Sequence, residues 1–487
     1  MSAKPQNGVQ LRHLFGIPNR FPSFPGDCNL TGMDDTIAAI ATPLGEGGLA
    51  VIRLSGKEAL AVAERCFVPA GKNAVRPSAA QSHTIHYGHV VSDGTTIDEA
   101  LLSVMREPRT FTGEHVAEIT CHGGLLPAKF VLDAVLASGA RLAQPGEFTR
   151  RAFLNGRIDL AQAEAVADLI HSRTELALRA ANEQLEGKLS KRINELRDQL
   201  MRTMAHIEAH IDFPDEDITP DTRTQLMDRL QQSIDFIEQL LRTADEGQIL
   251  RRGIRAAIIG RPNAGKSSLL NQLLGHDRAI VSPIAGTTRD TIEETANIRG
   301  IPVILTDTAG LRQARDEIEV EGIRRSRKSL GQAEFILHVF DAGEPLTAED
   351  EQFLAEFAGK KRILVCNKID LPRRLSFPQQ LAEGVVKVCC VTGEGIEPLK
   401  DTIKELVWSG EVRADMLETM INSRHRECLS RAGEAVKRAL EAFQSGQTLE
   451  LIAMDIRIGA NAIGEIVGKT TTEDLLDSIF SQFCIGK

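Results

Sequence analysis

Apolar residues recur along residues 185–211 at steps of three and four: Leu185, Leu189, Ile193, Leu196, Leu200, Met204, Ile207 and Ile211. That spacing lays one stripe along a long amphipathic helix. The stretch DFPDED breaks the pattern at Pro214, and Leu226, Leu230, Ile234, Ile237 and Leu241 then predict a second striped helix. Between Arg252 and about Val407 the period changes. Short β-branched runs (IRAAIIG, VILTDTAG, FILHVFD, RILVCNKID and VVKVCC) alternate with helical stretches, which is the rhythm of a doubly wound α/β domain. From Asp415 to Lys487 the chain reads as helical again. Neither striped segment can bury its apolar face alone, so the pattern predicts a helical domain interrupted by an inserted α/β domain. Upstream, LAVIRLSG and HVAEITCHGG alternate with Gly/Pro turns and predict a compact α+β domain. The expected divisions are an extension over 1–33, an N-terminal domain over 34–155, helical segments over 156–250 and 409–487, and the inserted domain over 251–408.

At 487 residues the chain exceeds a single ordinary core, and its 42% hydrophobic and 25% charged content is that of a globular protein. No apolar run approaches the ~18–20 residues of a membrane span, so no membrane partner is expected. A net charge of −10 and 4% aromatics argue against a free-standing nucleic-acid grip; any RNA contact would be shared with a partner. The eight cysteines are scattered without a CxxC pair, which points to reduced thiols and a cytoplasmic setting. Residues 1–33 are rich in Pro, Gly and Asn and read as a disordered extension, with Met33 as a plausible alternative start.

The chemistry sits in the α/β region. GRPNAGKSSLLN at 260–271 fits GxxxxGK[ST] between a strand and a helix. Glycines let the backbone wrap phosphates; Lys266 would reach the β/γ-phosphates and the Ser267 hydroxyl would ligate Mg²⁺. Asn263, Ala264, Gly265 and Ser268 complete the loop. DTAG (Asp307, Thr308, Ala309, Gly310) follows a strand and can hold the metal and offer an N–H to the γ-phosphate. NKID (Asn367, Lys368, Asp370) ends another, where Asp370 can accept guanine N1–H and N2–H₂. GTTRD at 286–290 falls between the first two and would bring Thr288 to Mg²⁺. Four motifs in this order make a guanine-nucleotide hydrolase. The base-side position that usually reads Ser-Ala carries Cys389 and Cys390 instead. Leu311 stands where a water-orienting Gln would sit in Ras-like switches, and the sequence assigns no Arg finger. Asn263 is a candidate ligand for a monovalent cation taking over that charge.

DTIAAIATPLGEGGLAVIRLSG, RTFTGEHVAEITCHGG, PGEFTRRAFLNGRIDLAQAEAVADLI, IDFPDED, IAGTTRD, DTAGLR and the closing FCIGK, together with the phosphate loop, resemble the tRNA modification GTPase MnmE (TrmE) family from about Asp34 to Lys487. The resemblance implies a Ras-like P-loop GTPase domain inserted into a discontinuous helical domain. It also implies an N-terminal α+β domain that binds 5-formyl- or methylene-tetrahydrofolate and forms a homodimer. An FAD-dependent partner, MnmG (GidA), would join it in a heterotetramer that modifies the wobble uridine of certain tRNAs. K⁺ would be held by Asn263 and the carbonyls of Ser282, Ile284 and Thr287, and Glu319 would orient the attacking water. From the residues alone, Glu319 reads as a solvated helix-start residue. Folate contacts would be Arg53, Glu118, Arg157 and Lys487, where the bare reading of the two arginines is surface ion pairing. The same resemblance makes Cys484 a functional thiol on a docked tail anchored by Phe483 and Ile485; without it, Cys484 reads as a buried structural cysteine.

Overall fold

The computed structural model describes residues 35–72, 74–212, 220–275, 294–307, 330–382, 384–408, 417 and 420–487. Contacts divide the chain into two units. One runs to Arg157 and includes Phe480–Lys487; the other holds the described residues between Ile158 and Ile479.

The first unit is built on strands β1 (Ile37–Ile40), β2 (Leu49–Ser55), β3 (Phe67–Pro69), β4 (Thr84–Ser92), β5 (Thr95–Met105), β6 (Val116–His122) and β7 (Arg141–Leu142). They lie in the order β3-β4-β5-β6-β2-β1-β7, antiparallel except for the β1/β7 pair. Helices α1 (Ala59–Cys66) and α2 (Leu125–Ala137) supply core residues such as Leu60, Val62, Val131 and Val135, and α3 (Glu147–Leu154) follows β7. Strand period decides which side chains do what. In β2, Ala50, Ile52 and Leu54 enter that core, so Arg53 is turned to the opposite face. On β6, buried Ala117 and Ile119 likewise set Glu118 outward, and the register pairs Arg53 with Glu118. A smaller cluster of Ile37, Ala39, Ala143 and Phe148 takes Ile485 of the tail against it.

The second unit carries helices α4 (Leu160–His171), α5 (Glu175–Leu185), α6 (Lys188–Asp212), α7 (Pro220–Arg242) and α8 (Ala244–Arg252). A sheet follows: β8 (Ile254–Ile259), β9 (Glu294–Ile298), β10 (Ile301–Asp307), β11 (Phe335–Asp341), β12 (Arg362–Asn367) and β13 (Val385–Lys387). Between and after these strands lie α9 (Lys266–Leu274), α10 (Ala348–Glu356), α11 (Gln379–Ala382) and α12 (Ile396–Val407); α13 (Ser423–Gln444), α14 (Leu449–Val467) and α15 (Glu473–Phe480) complete the chain. Sheet order is β13-β12-β11-β8-β10-β9, parallel apart from β9. Apart from Leu185 and Ile211, the α6 stripe is buried, and it shares one core with Leu226, Leu230, Ile234 and Ile237 of α7 and with Leu429, Val436, Ile456 and Ile463 of α13 and α14. Each such burial contributes about 1.5–3 kcal/mol, which is how helices from both sides of the sheet stabilise one bundle.

Three local expectations differ. Leu185 closes α5 rather than opening α6, because Gly187 at φ +84° turns the chain between them. The strand expected over VVKVCC stops at Lys387, leaving Cys389 and Cys390 in the following turn. The β4–β5 hairpin and the edge strand β9 were not anticipated.

Candidate nucleotide and tail sites

β8 has β10 on one side and β11 on the other, so the loop leaving its C-terminal end lies where the connections diverge. Gly260 approaches β11 so closely that a Cβ there would stand 2.2 Å from the Val339 carbonyl oxygen. Asn263 adopts φ +64°, a left-handed conformation that Asn tolerates better than most residues, and it is exposed. Gly265, at φ +96°, caps α9, and a Cβ would stand 2.1 Å from Asn367 Nδ2. The N–H groups that open α9 therefore face the loop, as an anion site requires. Lys266 Nζ donates to the Gly260 and Arg261 carbonyls, both at 2.9 Å, folding the ammonium over the loop. Ser267 and Ser268 are exposed beside it.

The base-side loop is tied to this one. Asn367 Nδ2 donates to the Ala264 carbonyl at 2.9 Å, and its Oδ1 accepts from the Cys390 N–H at 3.2 Å. Gln272 of α9 donates to the Cys390 carbonyl at 2.7 Å. Lys368, at φ +62°, pairs with Asp341 Oδ2 at 2.6 Å, while Asp341 Oδ1 accepts from the Gly343 N–H. Asp370 is exposed, and the Cys389 thiol donates to its Oδ1 at 3.2 Å. Two loops more than 100 residues apart in the chain thus form one braced unit. Sequence reasoning missed Asp341 and Gln272; Asp341 left a trace as the acid closing FILHVFD.

Asp307 closes β10 in register with Ile258 of β8, which sets its backbone beside the strand that feeds the phosphate loop. Ser282, Ile284, Thr287, Thr288, Thr308, Ala309, Gly310 and Glu319 lie outside the described residues. Among the described residues no group of His, Cys, Asp and Glu is arranged to hold a metal ion by itself. That fits a divalent ion held chiefly by hydroxyl and phosphate oxygens.

In the first unit, Arg53 Nε donates to Glu118 Oε1 at 2.7 Å, and Arg53 also reaches the Gly486 carbonyl at 3.4 Å. The tail is laid down by backbone contacts. Ile485 bridges Pro145, and the Gly146 N–H donates to the Cys484 carbonyl at 3.3 Å. Gly486 sits at φ +93°, and a Cβ there would stand only 2.5 Å from the Ile40 carbonyl oxygen, so glycine alone fits. Phe483 is buried. Burial and the nearby Arg53 charge lower the pKa of the Lys487 ammonium, which stands close to Glu118. The structure thus gathers Arg53, Glu118 and Lys487. Arg157 is exposed and donates instead to the Thr110 carbonyl at 2.9 Å. Cys484 is exposed, whereas the other cysteines among the described residues are buried, and burial pushes the Cys66, Cys121 and Cys390 thiols up to about 11. No helix among the described residues is long and apolar enough to cross a membrane.

Comparison with known proteins covers nearly the whole chain. A family model described as the MnmE helical domain matches residues 160–484, and one described as the GTP-binding protein TrmE N-terminus matches residues 36–157. The tRNA modification GTPases MnmE of Geobacillus kaustophilus and Chloroflexus aurantiacus are each 48% identical over 93% of this chain, spanning 99% and 100% of those proteins. That of Listeria innocua is 47% identical, over 93% of this chain and 99% of the relative. Among solved structures, Aquifex aeolicus Era bound to GDP·AlF4⁻ is 29% identical over 37% of this chain and 66% of its own, with a TM-score of 0.26. The G domain of the T. maritima FeoB iron transporter is 28% identical over 31% of this chain and 98% of its own, with a TM-score of 0.25.

Proposed function

The chain belongs to the MnmE family of tRNA modification GTPases, it is a GTP hydrolase acting in tRNA modification, and we propose that it works with a potassium ion where other GTPases use an arginine. One observation carries this reading. Asn263, left-handed and exposed at the tip of the phosphate loop, belongs to a loop braced through Asn367 to the base-side turn. A side-chain oxygen on a braced loop can hold a cation in a fixed place, and preorganised charge is what phosphoryl transfer needs.

In this mechanism Lys266 exchanges its two carbonyl partners for β/γ-phosphate oxygens, and the opening N–H groups of α9 receive the same phosphates. Asp370 reads guanine while Asn367 and Lys368 hold its loop. Ser267 and Thr288 would hold Mg²⁺; Asn263 with the carbonyls of Ser282, Ile284 and Thr287 would hold K⁺. When bound, these ions neutralise the charge that develops on the transferred phosphoryl group. Glu319 orients the water, and Asp307 to Gly310 complete the γ-phosphate side.

The Arg53–Glu118 pair and Lys487 fit a tetrahydrofolate, since a pterin edge suits a carboxylate and a glutamate tail suits cations. With Arg157 they would hold 5-formyl- or methylene-tetrahydrofolate beside the exposed Cys484 thiol. A homodimer would join the FAD-dependent partner MnmG (GidA) in a cytoplasmic heterotetramer that modifies the wobble uridine. The test is GTP turnover in K⁺ and in Na⁺, with Asn263→Ala alongside. Turnover several-fold faster in K⁺, and a difference erased in the variant, are expected; equal rates in both salts would contradict the cation assignment. A mass-spectrometric map of wobble nucleosides in cells carrying Cys484→Ser checks the tail, and unchanged modification reduces that thiol to packing.

A further inference from the structure

Asp370 is exposed at the end of a turn, where a carboxylate swings about its own axis. To accept guanine N1–H and N2–H₂ together, both of its oxygens must face the base. Cys389 is buried at 1% exposure, and its backbone leaves the thiol little freedom. The Cys389 N–H donates to the Glu394 carbonyl at 2.8 Å, and its own carbonyl accepts from the Gly393 N–H at 2.8 Å. The next residue is pinned at both ends, its N–H by Asn367 and its carbonyl by Gln272. Gly395, at φ +78°, closes the turn so tightly that a Cβ would stand 2.0 Å from the Lys387 carbonyl oxygen. The thiol therefore arrives at Asp370 Oδ1 from a fixed frame.

We propose that Cys389 is a positioning residue for base recognition, its thiol holding the Asp370 carboxylate in the orientation that accepts both guanine donors. The proposal rests on the nucleotide reading above and deepens it. Fixing Oδ1 before the base arrives removes an ordering cost from binding. A thiol is a weak donor, but a charged acceptor strengthens the bond. The effect falls chiefly on a base that engages both oxygens. Inosine offers N1–H and lacks the 2-amino group, so it uses one oxygen and gains less from the fixed orientation.

Dissociation constants of GDP and inosine diphosphate are to be measured on the full-length protein, with Cys389→Ala and Cys389→Ser beside the wild type. The alanine variant should bind GDP about five-fold more weakly and inosine diphosphate less than two-fold more weakly, the scale of one hydrogen bond to a charged group. The serine variant should stay within about two-fold of the wild type for both, because a hydroxyl restores the donor. Equal factors for the two nucleotides in Cys389→Ala, or a serine variant that behaves like alanine, would overturn the proposal and leave the thiol as packing. Asp370→Asn separates the two levels. If it keeps wild-type GDP binding, the base reading fails and the proposal with it. If it shifts preference to xanthosine diphosphate while Cys389→Ala leaves the GDP-to-inosine-diphosphate ratio unchanged, the thiol's role alone is overturned.

Discussion

His338 is a polar residue in an apolar place. It lies on β11, fully buried against the rings of Phe340 and Phe353, and neither ring nitrogen has a hydrogen-bond partner among the described residues. Burial, helped by the Arg362 charge, pushes its pKa down to about 3. The unfolded chain takes up this proton near the ordinary value of about 6.5, well before the folded one does. The neutral ring's stability is therefore complete above about 6.5 and lost as pH falls from there towards 3, by about 2 kcal/mol at pH 5. Denaturant midpoints of wild type and His338→Leu, compared from pH 7.5 to 5, should show the variant losing less stability on acidification. Parallel curves would mean that the folded protein accommodates the proton. Nothing in FILHVFD announced this, because the sequence shows an alternation of apolar residues and not what surrounds each one. The phosphate loop was legible for the opposite reason: its glycines and lysine act within one turn of chain, while the brace from Gln272 to Cys390 crosses 118 residues.

Among the elements, α4 carries an acid cluster that joins distant parts of the chain. Glu164 is buried and accepts from Arg424 Nε and Nη2 at 2.8 and 2.9 Å, from Asn422 at 2.9 Å, and lies 2.8 Å from His425 Nε2. These partners open α13, and despite the cost of burial they hold the Glu164 carboxyl well below the usual carboxylate range. One turn on, Asp168 pairs with Arg251 of α8 at 2.7 Å. Glu164→Gln leaves a buried guanidinium short of its countercharge and should cost about 3 kcal/mol. Equilibrium unfolding in urea checks this, and a loss under about 1 kcal/mol would show that the helices dock by apolar packing alone. The stripes of α6 and α7 were readable because one periodicity served both local structure and burial. The β4–β5 hairpin was missed although Asp93-Gly94, both at positive φ, is a strong turn signal. β9 was obscured by its setting on the sheet edge, where fewer apolar positions are needed.

At the scale of the whole molecule, the second unit contains two main apolar cores that draw on different residues. One belongs to α6, α7, α13 and α14, with Ile421 at its margin; the other joins the nucleotide sheet to Ala177, Ala180 and Leu250. The chain leaves the bundle and returns to it at one place, since a Cβ on Gly247 of α8 would stand 2.4 Å from the Ile421 carbonyl oxygen. An interrupted periodicity in the sequence suggested this arrangement, but closeness of the two ends is a property of packing and had no local signature. It makes the insertion removable in principle. Replacing residues 254–416 by about six Gly/Ser residues, which span roughly 13 Å as a flexible coil, should leave a helical protein that still unfolds cooperatively. Its melting temperature should fall, because Ala177, Ala180 and Leu250 lose their apolar cover, and GTP hydrolysis should vanish with the phosphate loop. Far-ultraviolet circular dichroism through a thermal ramp decides the matter. A broad, non-cooperative loss of helix would show that the bundle is completed by the sheet it surrounds, and that its two halves do not suffice to hold each other.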